Sequence, residues 1–337
     1  MLTLIVPGLI WTRQALADLT CDLPLPAFTT LLGQGRLSRR PARDTTAMLA
    51  ESTGLAAPLP AAALRWFGLR DHPGPDDHCD WLCLDPVRLN FHERSLIVDD
   101  PQHLRLNNEE AAALAAALAP TLAALGELEV LAPGHWNLRL SAGAPAFQAL
   151  PDAAGRSAAP LPPDAAYAPW RQALNEAQMI LHVHPVNQAR QAAGQPVVNS
   201  LWPWGGGRLP GLAARTSTHD AIWSNDPVAR GIARLLQIDG AALPAGYAGS
   251  AASAPLAVVD SLEPSASTGD AIVWRDELTR FEAEWLAPAL DALRRGRLDG
   301  LRLIAPGDLA AAELLVSRRD LWKFWRKPRS LAELVAS

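Results

Sequence analysis

The hydrophobic and polar positions along the chain predict an α/β protein. Short apolar runs at Leu2–Val6, Leu256–Val259 and Leu301–Ile304 are typical of buried parallel strands. Between the last two runs, Trp274–Leu293 has the apolar spacing of a helix, as a crossover connection requires. The alternation of strands and helices across residues 197–304 therefore predicts a mostly parallel sheet with flanking helices.

The middle of the chain predicts a smaller α+β lobe inserted into this core. The polar, proline-containing stretch at 71–78 is a loop and a plausible boundary. Three short apolar runs after it are candidate strands: Trp81–Leu84, Ser95–Val98 and Glu127–Leu131. We therefore expect an inserted lobe over residues 79–190 and a core formed by residues 1–78 and 191–337.

Composition and charge narrow the possible partners. Of the 337 residues, 49% are hydrophobic, which is enough for an ordinary buried core. The net charge of −5 argues against nucleic acid as the main partner. No stretch approaches about 18 uninterrupted apolar residues, so we expect no membrane partner. The odd number of cysteines, 3, suits the reducing cytoplasm.

The densest polar residues lie in two neighbouring segments, 175–190 and 198–208. Helical spacing places His184, Asn187 and Arg190 on one side, and a second guanidinium, Arg208, follows a run of glycines. Two guanidiniums, an imidazole and loop amides predict a site for a small phosphate or carboxylate. The complete candidate set is Asn175, His184, Asn187, Arg190, Asn199, Trp202, Trp204, Gly205, Gly207 and Arg208.

We expect His184, Asn187, Arg190, Asn199 and Arg208 to converge on one cleft at the carboxyl edge of the sheet, where open α/β sheets bind ligands. The alternative is that these groups cap helices and satisfy buried backbone atoms where two modules meet.

A basic and aromatic segment, Arg318–Arg329, lies near the end of the sequence. It could contact an anionic surface or nucleic acid. The favoured interpretation is a C-terminal helix that docks its aromatic side chains.

The same polar segments carry a resemblance to a known family. The run His184-Pro-Val-Asn-x-x-Arg190, followed by Asn199 and Gly205-x-Gly207, resembles the cofactor-independent phosphoglycerate mutases of the archaeal type. Three further runs resemble a bacterial offshoot known as regulators of pathogenicity factors, E type: Trp81–Leu89, Asn175–Met179 and Val198–Gly205.

The resemblance implies an alkaline-phosphatase-like core with an inserted lobe. Active members use two divalent metals, held by Asp and His, and a Ser or Thr nucleophile. Here the Asp-Gly expected after the first strand is Pro7-Gly8, and no histidine follows His219. We therefore expect no catalytic residues, no metal ligands and no cofactor.

Three hypotheses follow. The first is a catalytically degenerate, mutase-like cytoplasmic protein that binds a small anionic metabolite or a protein partner in a regulatory role. The second is an active mutase or phosphatase with an altered site and two metals such as Mn or Zn. The third is a structural or interaction protein with a vestigial cleft.

Overall fold

In this computed structural model the described residues are 1–70, 78–92, 95–99, 101–157, 159–211, 217–249, 252–308, 310–323 and 325–335. Most of the predicted loop at 71–78 lies outside them. The chain divides into two compact units, which we call the discontinuous unit (residues 1–58 and 214–337) and the continuous unit (residues 59–213).

Strands and helices are numbered in chain order. The strands are β1 (Leu2–Ile5), β2 (Arg36–Arg40), β3 (Trp81–Val87), β4 (Leu89–His92), β5 (Ser95–Val98), β6 (Gly126–Ala132), β7 (His135–Leu140), β8 (Ser200–Gly207), β9 (Ala221–Trp223), β10 (Asp239–Ala241), β11 (Pro255–Val258), β12 (Gly300–Ala305) and β13 (Ala311–Ser317).

The α-helices are α1 (Arg13–Thr20), α2 (Pro26–Gln34), α3 (Thr45–Thr53), α4 (Ala61–Leu69), α5 (Asn108–Leu122), α6 (Leu150–Ala153), α7 (Ala168–Val183), α8 (Pro185–Ala192), α9 (Pro227–Leu236), α10 (Glu263–Thr268), α11 (Ala271–Phe281) and α12 (Ala287–Arg294). A π-helical turn, Glu282–Leu286, joins α11 to α12, so the predicted helix Trp274–Leu293 is one helical run with this irregularity.

The discontinuous unit is built on a sheet whose described strands have the order β10, β9, β11, β1, β12, β13, β2. The first five strands run parallel, and β13 and β2 are antiparallel to their neighbours. Every residue of the central strands β1 and β11 is buried, as expected for parallel strands covered on both faces. The edge strand β2 carries three arginines, which discourage further strand pairing.

The continuous unit is built on an antiparallel sheet with the order β6, β7, β3, β8. Side chains alternate between its two faces because the side-chain period of a strand is two. On one face, Leu82, Leu84, Trp136 and Leu138 form a core with residues of α5 and α7. On the other face lies α4, which contacts β3 and β8.

The structure confirms the predicted fold class, a mostly parallel α/β core with a smaller α+β body. The prediction that 197–202 contributes a strand to the parallel sheet is wrong. The strand lies at 200–207 and pairs antiparallel with β3 from Val87 to Trp81. Since β8 completes this sheet and α4 packs on it, the continuous unit extends over 59–213, beyond the expected 79–190. Among the described residues, no helix has the length and apolar character needed to cross a bilayer.

Candidate functional site

Arg190, the central guanidinium of the predicted site, is bound by the protein itself. Its side chain is 3% exposed. Nε donates to the Pro196 carbonyl at 2.8 Å, and Nη1 lies 2.9 Å from both carboxylate oxygens of Glu110. Nη2 donates to the Leu104 carbonyl. Arg190 thus ties α8 to the first turn of α5 and to the segment before it.

Asn187 has an equally complete set of contacts. Its amide nitrogen donates to the carbonyls of Leu181 and Val198 at 2.8 and 2.6 Å, and its oxygen accepts from the Val198 N–H at 3.0 Å. His184 caps α8, since its Nδ1 accepts from the Val186 N–H at 3.2 Å. These contacts fix the turn between α7 and α8 and hold it against the chain that enters β8.

Asn199 and Asn175 lie at different places in the same unit. The Asn199 amide pairs with the backbone of Leu89, accepting from its N–H at 2.7 Å and donating to its carbonyl at 2.8 Å. Asn175 is exposed on α7.

Arg208 forms an exposed ion pair. Its Nε and Nη2 each lie 2.7 Å from a carboxylate oxygen of Asp80. This bidentate hydrogen bonding raises the pKa of Arg208 and lowers the pKa of Asp80. The Arg208 side chain is 60% exposed, in contrast to buried Arg190.

The predicted convergence of these residues on one cleft is wrong. Asn199 and Arg208 flank opposite ends of β8, which spans Ser200–Gly207. At about 3.3 Å per residue, an extended segment of this length separates the two side chains by roughly 25–30 Å. One small ligand cannot contact both.

The glycines of β8 allow a helix to approach the sheet closely. They were expected to form a turn with free amides, but they continue the strand to Gly207. A Cβ on Gly205 would lie 2.8 Å from the Ala61 Cβ, and one on Gly207 would lie 2.8 Å from the Pro60 Cβ. Both glycines also have positive φ, at +61° and +147°. The glycine run therefore seats the start of α4 on β8.

The two tryptophans of the candidate set, Trp202 and Trp204, have separate partners. Trp202 Nε1 donates to the Gln148 carbonyl at 2.9 Å, and Trp204 Nε1 donates to Asp85 Oδ2 at 2.8 Å. Trp204 is 7% exposed and belongs to a buried polar cluster under α4.

This buried cluster is centred on the ion pair of Arg65 and Asp85, which sequence reasoning missed. Arg65 Nη1 lies 2.8 Å from Asp85 Oδ2, and both side chains are at most 3% exposed. Arg65 Nε and Nη2 donate to Asn137 Oδ1 at 3.1 and 2.6 Å. Asp85 Oδ1 accepts from the Trp136 N–H at 3.0 Å. A lone arginine in the apolar helix AAALRWFGL and a lone aspartate in the apolar strand WLCLDPV were the available signals.

At the carboxyl edge of the parallel sheet, the turn after β1 is tightly packed. Gly8 has φ +74°, and a Cβ there would lie 2.7 Å from backbone atoms of Leu262 and Glu263. Trp274 Nε1 donates to the Gly8 carbonyl at 2.8 Å. Pro7 precedes this turn, so the position offers no side-chain ligand atom.

Two titratable groups of this sheet, Asp260 and His219, lie at opposite ends of its parallel strands. Asp260 is half-buried just beyond β11, at the carboxyl edge, and burial raises its pKa. His219 is the single histidine in the discontinuous unit, and it precedes β9 at the amino edge. Its Nδ1 lies 3.1 Å from the Ala254 carbonyl oxygen. In the described part of the chain, no three His, Cys, Asp or Glu side chains are grouped closely enough to hold a metal ion.

Comparisons with known proteins bear on the fold. No family model and no curated protein matches the sequence. Among solved structures, the chain is similar to a cofactor-independent phosphoglycerate mutase from Thermoplasma acidophilum DSM 1728, at 17% identity over 100% of this chain and 95% of that one, with a TM-score of 0.49. It is also similar to the PH0037 protein from Pyrococcus horikoshii, at 13% identity over 98% and 91%, with a TM-score of 0.52. At these identities the likeness concerns the fold alone, and it rests on the second structure.

Proposed function

We propose that this chain is a phosphoglycerate-mutase-like cytoplasmic protein that has lost catalysis and acts by binding a small phosphorylated or carboxylated metabolite in a regulatory role. The observation that carries the proposal is that a proline, Pro7, follows β1 at the carboxyl edge of the sheet. A proline side chain has no atom that can ligate a metal, whereas the resemblance requires an aspartate there. His219, the histidine of the same unit, lies at the opposite edge. These residues do not fit a two-metal site of Asp and His ligands.

Arg208 is the group that supports anion binding. The Arg190 guanidinium is buried and bound on all sides, whereas Arg208 is 60% exposed and paired with a partly exposed carboxylate. An ion pair in water contributes little to stability. A phosphate or carboxylate can therefore take the place of Asp80 at a small cost in free energy.

The loss of catalysis is tested by assaying phosphoglycerate mutase and phosphatase turnover with Mn²⁺ and with EDTA. We expect no turnover that EDTA abolishes. We also expect none in Pro7→Asp, because restoring one carboxylate does not supply histidine ligands. Turnover in the unaltered protein that EDTA abolishes and Mn²⁺ restores would support an active enzyme instead.

Binding is tested by thermal shift of the metal-stripped protein with 3-phosphoglycerate and with inorganic phosphate. We expect a rise in Tm that Arg208→Ala removes. Arg295→Ala is the matched control, because Arg295 is 67% exposed and is also paired with an aspartate. If both variants retain the shift, Arg208 is not the site. If neither ligand shifts the Tm of the unaltered protein, a structural or interaction protein is the better account.

A protein partner is the second candidate, and a pair of exposed side chains on α7 favours it. Met179 and Val183 lie one helical turn apart and are 72% and 63% exposed. Paired apolar side chains at this spacing are typical of helix surfaces that contact another protein. Met179→Ser with Val183→Ser is expected to abolish partner binding in a pull-down while leaving the thermal shift by 3-phosphoglycerate unchanged.

A further inference from the structure

The segment Arg318–Arg329, which we call the strap, concentrates positive charge on a chain that is negative overall. It contains six basic residues and one acidic residue, Asp320, whereas the chain has a net charge of −5. Both lysines of the sequence, Lys323 and Lys327, lie within it. Because charges of opposite sign dominate elsewhere, the strap gives the molecule a pronounced charge asymmetry.

The strap also exposes two indole rings. The predicted C-terminal helix with docked aromatic side chains is wrong for the described residues; Phe324, which is part of this prediction, lies outside them. The segment begins as a short 3-10 turn, Arg318–Trp322, and Trp322 and Trp325 are 75% and 69% exposed. Tryptophan is normally among the most buried residues of a folded protein, so a pair of exposed indoles requires an explanation.

The exposure does not result from fraying, because both ends of the strap are fixed. At its start, the Ser317 N–H and hydroxyl donate to Asp320 Oδ2 at 2.9 and 2.6 Å. At its end, the Arg329 N–H donates to the Thr29 carbonyl of α2 at 3.1 Å. Close packing against α2 holds the chain just before that point, where a Cβ on Gly33 would collide with the Lys327 carbonyl oxygen. Beyond it, Leu331 and Leu334 are buried in the core.

We propose that the strap docks the protein on an anionic lipid bilayer surface. Indole rings favour the interface between water and hydrocarbon, and Lys and Arg beside them are attracted to anionic headgroups. The exposed cations Arg318, Arg319, Arg326 and Lys327 supply this charge next to the two indoles. The sequence-based expectation of no membrane partner rested on the lack of a long apolar stretch, which concerns a membrane span and not docking at a bilayer surface.

The exposure of Trp322 and Trp325 favours a bilayer over a nucleic acid. Sites that stack single-stranded bases combine aromatics with a basic groove that follows the phosphate backbone. Trp322 and Trp325 each have about seven-tenths of their surface in water, so the protein encloses little of either ring. Indole rings with this exposure can insert into the interface between the lipid headgroups and the acyl chains.

The test is co-sedimentation of the full chain with vesicles of phosphatidylcholine alone and of phosphatidylcholine with 30% phosphatidylglycerol. We expect binding to the anionic vesicles alone and a strong decrease in binding as salt is raised. Trp322→Ser with Trp325→Ser is expected to weaken binding at least about tenfold, and Arg326→Glu with Lys327→Glu at least as much. Because these side chains are exposed, the Tm of each variant should match that of the unaltered protein.

Two control variants distinguish binding through the strap from nonspecific binding through other exposed residues. Ile272→Ser removes an apolar side chain that is 76% exposed on α11 of the same unit, and it should leave vesicle binding unchanged. Arg295→Glu reverses an exposed charge outside the strap and should have a much smaller effect than reversal within it. Equal binding to neutral and anionic vesicles, or no binding to either, overturns the proposal. Binding of a single-stranded oligonucleotide, abolished by the strap variants while vesicles are ignored, would assign the strap to nucleic acid.

Discussion

Arg65 and Asp85 show what a buried ion pair contributes to the continuous unit. Besides Arg65, Asp85 receives N–H donors from Trp136 and Trp204, and Asn137 donates to the Ala62 carbonyl at 2.8 Å. Such a network is stable because its members satisfy one another, since an unpaired charge in the same place would be strongly unfavourable. It fixes α4 at one position on the sheet.

We predict that Arg65→Met lowers the free energy of unfolding by about 3–5 kcal/mol, because it leaves the Asp85 carboxylate buried without a counter-charge. Arg208→Met is the control, since it removes an arginine from an exposed pair, and its effect should be much smaller. Urea denaturation followed by tryptophan fluorescence measures both. Adding Asp85→Leu to Arg65→Met should recover part of the loss. Equal effects of the two arginine variants would contradict this account.

Sequence spacing correctly grouped some polar residues but could not tell how each one is used. Asn187 and Arg190 lie on the short helix α8 and His184 caps it, yet Asn187 and Arg190 bind Val198 and Glu110, which are distant along the sequence. Those partners are brought close by the packing of α5 and β8, which spacing does not encode. The alternative interpretation, helix capping and satisfaction of buried backbone, describes their contacts.

The helix α2 is capped by a residue from the π-helical turn. It begins at Pro26 and has no side-chain cap of its own. The Glu282 carboxylate, 5% exposed, accepts from the N–H groups of Ala27 and Phe28 at 2.6 and 3.0 Å. A negative group at this end of a helix also interacts favourably with the helix dipole. One side chain thereby joins two helices across the core.

We predict that Glu282→Gln lowers the free energy of unfolding by about 1–3 kcal/mol, because a neutral amide replaces a charged acceptor of two backbone donors. Glu284→Gln is the matched control in the same turn, since its side chain is exposed. It should change stability by less than about 0.5 kcal/mol. Thermal and urea denaturation check both values, and comparable losses would show that Glu282 is not a cap.

Strands that are recognisable from their own apolar residues were predicted correctly. A strand that depends on pairing with residues distant along the sequence was not. The runs at β1, β11 and β12 are mostly apolar, with Thr3 and Arg302 as the polar exceptions, as is typical of buried parallel strands. The segment WPWGGG contains features of a turn, yet it is a strand because β3 pairs with it and α4 packs on its glycines. In this segment, strand pairing and helix packing outweigh the local preference of glycine and proline for a turn.

At the scale of the whole molecule, the continuous unit has its own sheet and its own core. We predict that a fragment of residues 59–213 folds cooperatively by itself, with a urea transition detected by circular dichroism and fluorescence. A fragment of residues 79–190 is the control. It lacks α4 and β8, so it should remain unfolded. If the shorter fragment folds equally well, the boundaries inferred from the sequence are the better ones.

The stability of the discontinuous unit should depend on pH through His219. Burial, with a contribution from the positive charge of Arg302, lowers the pKa of this imidazole in the folded protein. Below about pH 6.5, the unfolded chain therefore binds a proton that the folded protein does not, and stability falls as pH decreases. His219→Asn, which keeps an amide near the Ala254 carbonyl, should lose less stability between pH 7.5 and 5.5. Parallel stability curves for the two proteins would exclude this effect.

The position of β1 between β11 and β12 has a consequence for synthesis on the ribosome. Roughly 250 residues separate Ile5 from Pro255, which at about 5–20 residues per second is a delay of about 10–50 s. During that time the continuous unit, an unbroken segment, emerges completely and can fold. The apolar strand Leu2–Ile5, made before it, has neither neighbour and is an aggregation hazard while it waits. We expect a chaperone that binds nascent chains to protect this strand until β11 and β12 have been translated.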